Sequence, residues 1–277
     1  MTVTVQLPTP LAVPPVIGEG DGETSEVPPP EGTTPSGYIQ NGGNIRSEPR
    51  VAADTTVGQV CPGDQVDILD RQGGWVYLRV TATAADCVAE RVTSDTEGWV
   101  SETLAAESSF RPDETYPAMP TGLAAAVVNN TTDGDTLQLT SGTASFSAAP
   151  VGLDAPEPGE CFGSEAATGM RELMGAGFVL LEPAPNLPEQ DEDGQVLFHV
   201  WLPDGRLASL ELIRQGEGFF FSGYASPLAF RYQDILMEAE SQASEEERGL
   251  WSPETCGGRP PEPPPAEEAG TAEEPAE

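Results

Sequence analysis

Prolines crowd both ends of this chain: "VPPPEGTTP" occupies residues 27–35 and "RPPEPPP" runs from Arg259 to Pro265. A proline lacks the backbone N–H that helices and sheet ladders use, so such runs do not sit inside packed elements. Residues 1–36 hold no basic residue and no periodic apolar pattern, and they read as an extended proline-rich linker, disordered on its own. Residues 258–277 carry too little apolar surface to offset the entropy of ordering them, and they read as a disordered acidic tail. Any fold therefore lies between about residues 37 and 257, a length suited to two modest domains.

The net charge is −34, from 46 acids against 12 bases, and every base is arginine because the sequence has no lysine. Nucleic-acid binding draws most of its affinity from basic groups that displace counterions at phosphates, so tight binding to nucleic acid is not expected. High acidity also serves solubility. No run approaches 18 uninterrupted apolar residues, so no membrane span is expected. The chain reads as a monomer.

Four cysteines fall two to each predicted domain, none of them in a CxxC pair. The even distribution suggests structural disulfides, Cys61 with Cys87 and Cys161 with Cys256, and an oxidising, extracytoplasmic location. The N-terminus lacks the basic and apolar stretches of a secretory signal. The expectation is that Met1 is not the natural start and that an export signal or anchor preceded the spacer.

Residues 37–107 show short alternating runs, "VDIL", "WVYLRV" and "GWVSETL", separated by "PGD" and "RQGG" turn signals at hairpin spacing. They predict a small all-β barrel. "NIRSEPR" at Asn44–Arg50, "VCPGDQVDILDRQGGWVYLRV" at Val60–Val80 and "EGWV" at Glu97–Val100 resemble the bacterial SH3 family. The stretch from Thr81 to Glu97, with Cys87, is longer than that family's usual hairpin. Trp75 and Trp99 are read chiefly as core fillers, with a groove for a cell-wall or peptide ligand as the alternative. Arg46 and Arg50 are read as surface charges. Residues 108–124 read as a linker.

Residues 125–257 read as strand, acidic turn "DGDT", strand, glycine turn, strand and loop. A helix over "GSEAATGMRELMGAG", a strand at "FVLLEPAP", a strand, hairpin and helix within "QVLFHVWLPDGRLASLELIRQG" and a last helix ending at Gly249 follow. This order predicts an OB-fold β-barrel with packed helices, an α+β domain. The chain as a whole is thus mainly β.

Several motifs of this second segment occur in the order found in the staphylococcal nuclease family. They are "DGDT" at Asp133–Thr136, "GLDAPE" at Gly152–Glu157, "CFGSEA" at Cys161–Ala166, "ELIRQGEG" at Glu211–Gly218 and "GLWS" at Gly249–Ser252. The resemblance implies a calcium ion held weakly by Asp135 and Asp154, with Ala155 supplying a carbonyl and Glu157 acting as the base that activates water. Calcium takes several hard oxygen ligands and tolerates loose geometry, which suits two carboxylates from neighbouring loops.

Phosphodiester cleavage also needs positive charge where negative charge develops. The family's first catalytic arginine falls at Ala149 in this sequence. Its second falls at Gln195, at the end of "DEDGQ", and Asp193 replaces a tyrosine. The segment holds only Arg171, Arg206, Arg214, Arg231 and Arg248 against 22 acids.

His199, the only histidine, reads as a wall or surface residue of its strand, and "FFFSGY" at Phe219–Tyr224 chiefly as packing for the last helix, with stacking on a base as the alternative. The favoured reading is an extracytoplasmic protein whose nuclease-fold domain is weakly active or inactive and serves binding or structure. The alternative is a live calcium-dependent nuclease acting on DNA or RNA. A third reading confines the acids to binding calcium for stability.

Overall fold

The computed structural model describes residues 34–110, 116–175, 177–224 and 229–256. Almost all of the expected N-terminal spacer and the whole acidic tail lie outside the described residues.

The first unit is a seven-stranded antiparallel sheet. Its strands are β1 (Ser36–Ile39), β2 (Gly43–Arg46), β3 (Thr56–Val60), β4 (Gln65–Gln72), β5 (Trp75–Ala82), β6 (Glu97–Ser101) and β7 (Ala105–Glu107). They lie in the order β3-β2-β6-β5-β4-β1-β7. Side chains alternate across a strand, so β5 can send only one set inward. Val76, Leu78 and Val80 go into the core with Ile39, Ile45, Val66 and Val100. Each such aliphatic side chain stabilises the fold by about 1.5–3 kcal/mol relative to an exposed position.

That alternation overturns the expected role of the tryptophans. Trp75 and Tyr77 share the outer set of β5 with Arg79, and Trp99 stands opposite Tyr77 on β6, the two rings 5.1 Å apart. Both tryptophans are half-buried on the outer face, and neither belongs to the core. Arg46 is also not a surface charge. It is buried, and its guanidinium donates to the Ala52 carbonyl at 2.7 Å and to the Thr55 and Thr56 hydroxyls at 3.2 Å. Arg50 is exposed and pairs with Glu48 and Asp54, as read.

Disulfide Cys61–Cys87 pins the long excursion after β5. Beside it Asp64, fully buried, accepts the N–H groups of Cys61 and Ala84 and pairs with the Arg91 guanidinium.

The second unit holds β8 (Ala124–Thr131), β9 (Leu137–Ser141), β10 (Ala144–Pro150), β11 (Leu153–Asp154), α1 (Gly163–Leu173), β12 (Phe178–Pro183), β13 (Val196–Trp201), α2 (Ala208–Gln215), β14 (Phe219–Phe220) and α3 (Gln233–Glu245). Five strands close a barrel in the order β10-β13-β12-β8-β9, as the expected barrel requires. Only β10 and β13 run parallel, and their register sets Ala149 opposite Leu197. Leu137, Leu139, Leu180, Leu181 and Trp201 are buried in one apolar cluster, which Leu210, Leu212 and Ile213 of α2 join; Leu180 and Leu181, adjacent on β12, face opposite sides of the barrel wall.

Helix α3 stops at Glu245, four residues short of the expected Gly249. Glu247 takes a left-handed φ of 53°, its N–H reaches the Ser244 carbonyl, and the Arg248 N–H reaches Ala243. This is a Schellman-type stop without glycine at the left-handed position. Gly249 is used differently: a Cβ there would meet the Gly216 carbonyl oxygen at 2.3 Å, so the chain crosses the end of α2 at close range. Disulfide Cys161–Cys256 joins the segment before α1 to the segment after α3.

The two units touch directly. A Cβ on Gly63 would meet Leu180 at 2.6 Å, Gln65 donates to the Pro203 carbonyl at 2.9 Å, and Tyr38 packs edge-on to Phe178. The described part of 108–124 is packed as well. Tyr116 and Leu123 are buried, and the Tyr116 hydroxyl accepts the Leu207 N–H and donates to Glu211.

Candidate functional site

Two acidic loops meet at one mouth of the barrel. In the β8–β9 turn, Asp133 is buried and accepts the N–H groups of Asp135 at 3.2 Å and Thr136 at 2.7 Å, which folds "DGDT" tightly. A Cβ on Gly134 would meet the Ala155 Cβ at 2.5 Å and the Ala166 Cβ at 2.8 Å, so only glycine lets this turn lie against the "DAPE" loop and α1. Asp135 then crosses to the other loop and accepts the Ala155 N–H at 2.8 Å.

The "DAPE" loop is held from its own side. Strand β11 pairs with β14, setting Asp154 opposite Phe219. Gly152 donates to the Tyr224 hydroxyl at 2.7 Å, and its carbonyl accepts the Phe221 N–H. The loop before β13 lines the same cleft. There Asp191 accepts the backbone N–H groups of Asp193 and Gln195, and Gln195 returns its carbonyl to the Asp191 N–H.

These loops enclose a cleft of about 530 Å³. Asp133, Asp135, Asp154, Glu157, Asp191, Glu192 and Asp193 line it, with Ala149, Gln195, Phe221 and Tyr224. The structure thus brings Asp135, Asp154, Glu157, Ala149 and Gln195 into one cavity. Among the described residues no arginine lines it.

The arginines of the second unit are engaged elsewhere. Arg206 pairs with Asp204 and Glu211, Arg214 lies over the Tyr116 ring, Arg231 pairs with Glu182 and Arg248 with Glu246. Arg171 sits on α1, away from the cleft lining. Arg248 lies just beyond α3 rather than on it.

Crowding of like charge shows in the carboxyls. Burial raises Asp135 above the usual aspartate range, and Asp133 and Asp154 add to the shift, against the Ala155 hydrogen bond that lowers it. Asp154 stands exposed at the rim, yet partial loss of water raises its carboxyl, with Glu160 adding. Glu157 is raised by partial burial and then by Asp133. Among the described residues no three acidic, histidine or cysteine side chains converge closely enough to hold a metal. The pair Asp135 and Asp154 nevertheless presents hard oxygen donors whose mutual repulsion a cation would relieve, which fits calcium held through few protein ligands and water.

Phe221 and Tyr224 belong to the run that reads chiefly as packing for the last helix, with base stacking as the alternative. The aromatic run divides: Phe219 packs against Trp251, while Phe221 is 36% exposed and meets Tyr224 edge-on in the cleft wall. His199 is buried inside the barrel wall, 4.9 Å from the Tyr232 ring, away from the cleft lining.

A closed five-stranded barrel with three helices and an acidic cleft, preceded by a seven-stranded antiparallel sheet, defines a two-part, mainly β protein. Comparison with known families is specific: residues 41–105 are a bacterial SH3 domain, and residues 149–253 are a staphylococcal nuclease homologue domain, of a family that typically depends on calcium. That second match begins at Ala149, so the strands β8 and β9 and the Asp133–Thr136 turn precede it and join it through the closed barrel.

A protein of Escherichia coli described as an uncharacterized endonuclease is 25% identical over 120 residues, spanning 43% of this chain and 72% of that protein. A protein of Escherichia coli O157:H7 with the same description matches to the same extent. The two disulfides suggest an oxidising environment, and among the described residues no helix is long and apolar enough to cross a membrane.

Proposed function

We propose that the nuclease-fold domain, residues 125–257, is a weak or inactive phosphodiesterase that serves binding or structure, displayed outside the cytoplasm beside an SH3 domain at 37–107. The observation that supports this most is the cleft lining: Ala149 and Gln195, the positions assigned to the family's arginines, share it with seven acids, and among the described residues no arginine lines it. Loss of one group that stabilises transition-state charge typically costs on the order of a hundred- to a thousandfold in rate. Here two are missing, and Asp193 adds negative charge to the same wall.

Asp135 and Asp154 are assigned as weak calcium ligands and Glu157 as the water-activating base of any residual activity. Calcium would supply Lewis-acid polarisation of a phosphoryl oxygen. The SH3 domain contributes recognition of a cell-wall or peptide ligand through its outer aromatic face, Trp75, Tyr77 and Trp99. The protein acts as a monomer without tight nucleic-acid binding.

An active calcium-dependent nuclease is the second reading. Asp135, Asp154 and Glu157 line one cleft, and the Escherichia coli relative carries the description endonuclease. Cleavage of single-stranded DNA by the purified chain, with calcium and with chelator, separates the two. Fast chelator-sensitive hydrolysis favours the second reading, and its absence the first.

A further inference from the structure

The contact between the two units is built from one end of the first sheet. Strand β5 ends at Ala82, and the residues just beyond it pair with the second unit. The Ala85 N–H donates to the Leu123 carbonyl at 2.9 Å and the Gly122 N–H to the Thr83 carbonyl at 2.8 Å, so residues 83–85 are bonded to the stretch that leads directly into β8. Ala84 lies in the apolar cluster of the barrel and not in that of its own sheet. The gap left among Gly63, Ala84, Met119, Leu123 and Leu180 is about 20 Å³, room for about one water molecule.

Asp64 fixes this surface from within. Its fully buried carboxylate accepts the N–H groups of Cys61 and Ala84 and pairs with the Arg91 guanidinium, which also donates to the Ala84 carbonyl at 2.9 Å. The turn 61–65 and the segment 83–85 are thereby held side by side, and disulfide Cys61–Cys87 closes the same loop covalently. A buried carboxylate is costly unless its hydrogen bonds and partner charge are all in place, so the arrangement is lost as a whole rather than by parts. On its outer side Gly63 lies against Leu180 with no space for a side chain, and Gln65 reaches the Pro203 carbonyl.

Domains of one chain move relative to one another unless their contact is extensive and apolar. We infer that residues 61–65 and 83–85 form a docking element whose partner is the barrel, and that it makes the SH3 and nuclease-fold domains one cooperative unit of fixed relative orientation. Trp75 begins β5 at the end opposite Ala82, about 23 Å away at the rise of a strand, and stays clear of the contact. A ligand held on the Trp75–Trp99 face therefore carries the cleft at a set position rather than at the end of a tether. This coupling holds whether or not the cleft hydrolyses a phosphodiester.

Hydrogen exchange of the full chain, resolved by segment, tests it. Val76 is buried in the apolar cluster of the first sheet, which contains no barrel residue, so Val76→Ala alters one unit directly. In a cooperative pair it should speed exchange in the barrel strands β9 and β12 as well as in β4 and β5, on the order of tenfold in both. Faster exchange in β4 and β5 with unchanged protection of β9 and β12 overturns the inference.

The contact itself is cut by Ala84→Arg, which forces a long charged side chain into the gap beside Leu180. In that background, adding Val76→Ala should alter exchange in β9 and β12 by less than about twofold. Barrel exchange that still follows Val76→Ala there refutes the assignment of the coupling to this docking element. Where Ala84→Arg does not fold, the comparison of Val76→Ala with the native chain decides alone.

Discussion

The Asp135 carboxylate accepts the Ala155 N–H at 2.8 Å, so a side chain of the β8–β9 turn is tied to the backbone of the loop that carries Asp154 and Glu157. One hydrogen bond thereby couples the two acidic loops. It also holds Asp135 half-buried near Asp133 and Asp154, where loss of water and like charge raise its carboxyl.

Millimolar calcium should therefore raise the melting temperature by mass action on the folded state. Asp154→Asn should remove most of that response while leaving the calcium-free melting temperature within a few degrees. Differential scanning calorimetry with and without calcium checks both. An unchanged response in Asp154→Asn places the ion elsewhere.

Packing at Gly134 is equally specific. Gly134→Ala should destabilise the domain by about 1–3 kcal/mol, because the added methyl overlaps Ala155 and Ala166. Urea unfolding measures it, and a neutral result would mean that the two loops are not packed this closely.

Disulfide removal should show an order. Cys161–Cys256 closes a separation of 95 residues and Cys61–Cys87 one of 26. In the chain-entropy model these correspond to about 4.7 and about 3.5 kcal/mol. Paired Cys→Ala variants should lose stability in that order under urea, and the reverse order contradicts the entropic origin.

His199 gives a pH dependence whose sign follows from burial. Loss of water lowers its pKa to about 4, opposed by the nearby Glu182 and reinforced by Arg231, while Tyr232 and Phe230 pack on its ring. The folded pKa lies below the unfolded value near 6.5, so the stability from a neutral His199 is complete above about pH 6.5. It falls as the pH drops toward 4, by about 3 kcal/mol at most. Subtracting the stability profile of His199→Phe from that of the native chain between pH 7 and 4 isolates this group. A difference that does not vary with pH contradicts the assignment.

The outer position of the tryptophans gives a simple contrast. Trp99→Ala should cost under about 1 kcal/mol beyond its lost contact with Tyr77, whereas Leu78→Ala, in the core, should cost about 2–5 kcal/mol. Equal costs would mean that Trp99 supports the core.

Much of this was legible in the sequence because the informative features are local. The strand alternation, the glycine turns and the order of "DGDT", "GLDAPE" and "GLWS" each depend on a few adjacent residues, and the closed barrel follows them. The placement of Trp75 was misread as core although the signal was there: it alternates in phase with Arg79, and a charged residue marks the solvent side. What was not legible depends on distant partners. Arg46 is buried because three oxygens from residues 52–56 meet its guanidinium, and Glu182 because Trp201, Tyr232 and Arg231 converge on it. No spacing encodes such convergence. Phe221 and Tyr224 reached the cleft because β14 ends after Phe220, and a run of aromatics does not declare where its pairing stops.

The most direct measurement is calcium-dependent cleavage of single-stranded DNA by four chains: the native protein, Ala149→Arg, Gln195→Arg, and the double variant. Both positions line the cleft beside Asp154 and Glu157, so each restored guanidinium acts on the same developing charge. The predicted result is negligible cleavage by the native chain and a gain in the double variant larger than either single gain, with Asp193→Tyr adding to it. Chelator should abolish the gain. Robust chelator-sensitive hydrolysis by the native chain, lost in Glu157→Gln and not increased by either arginine, would contradict the assignment of this cleft as an electrostatically disabled nuclease site.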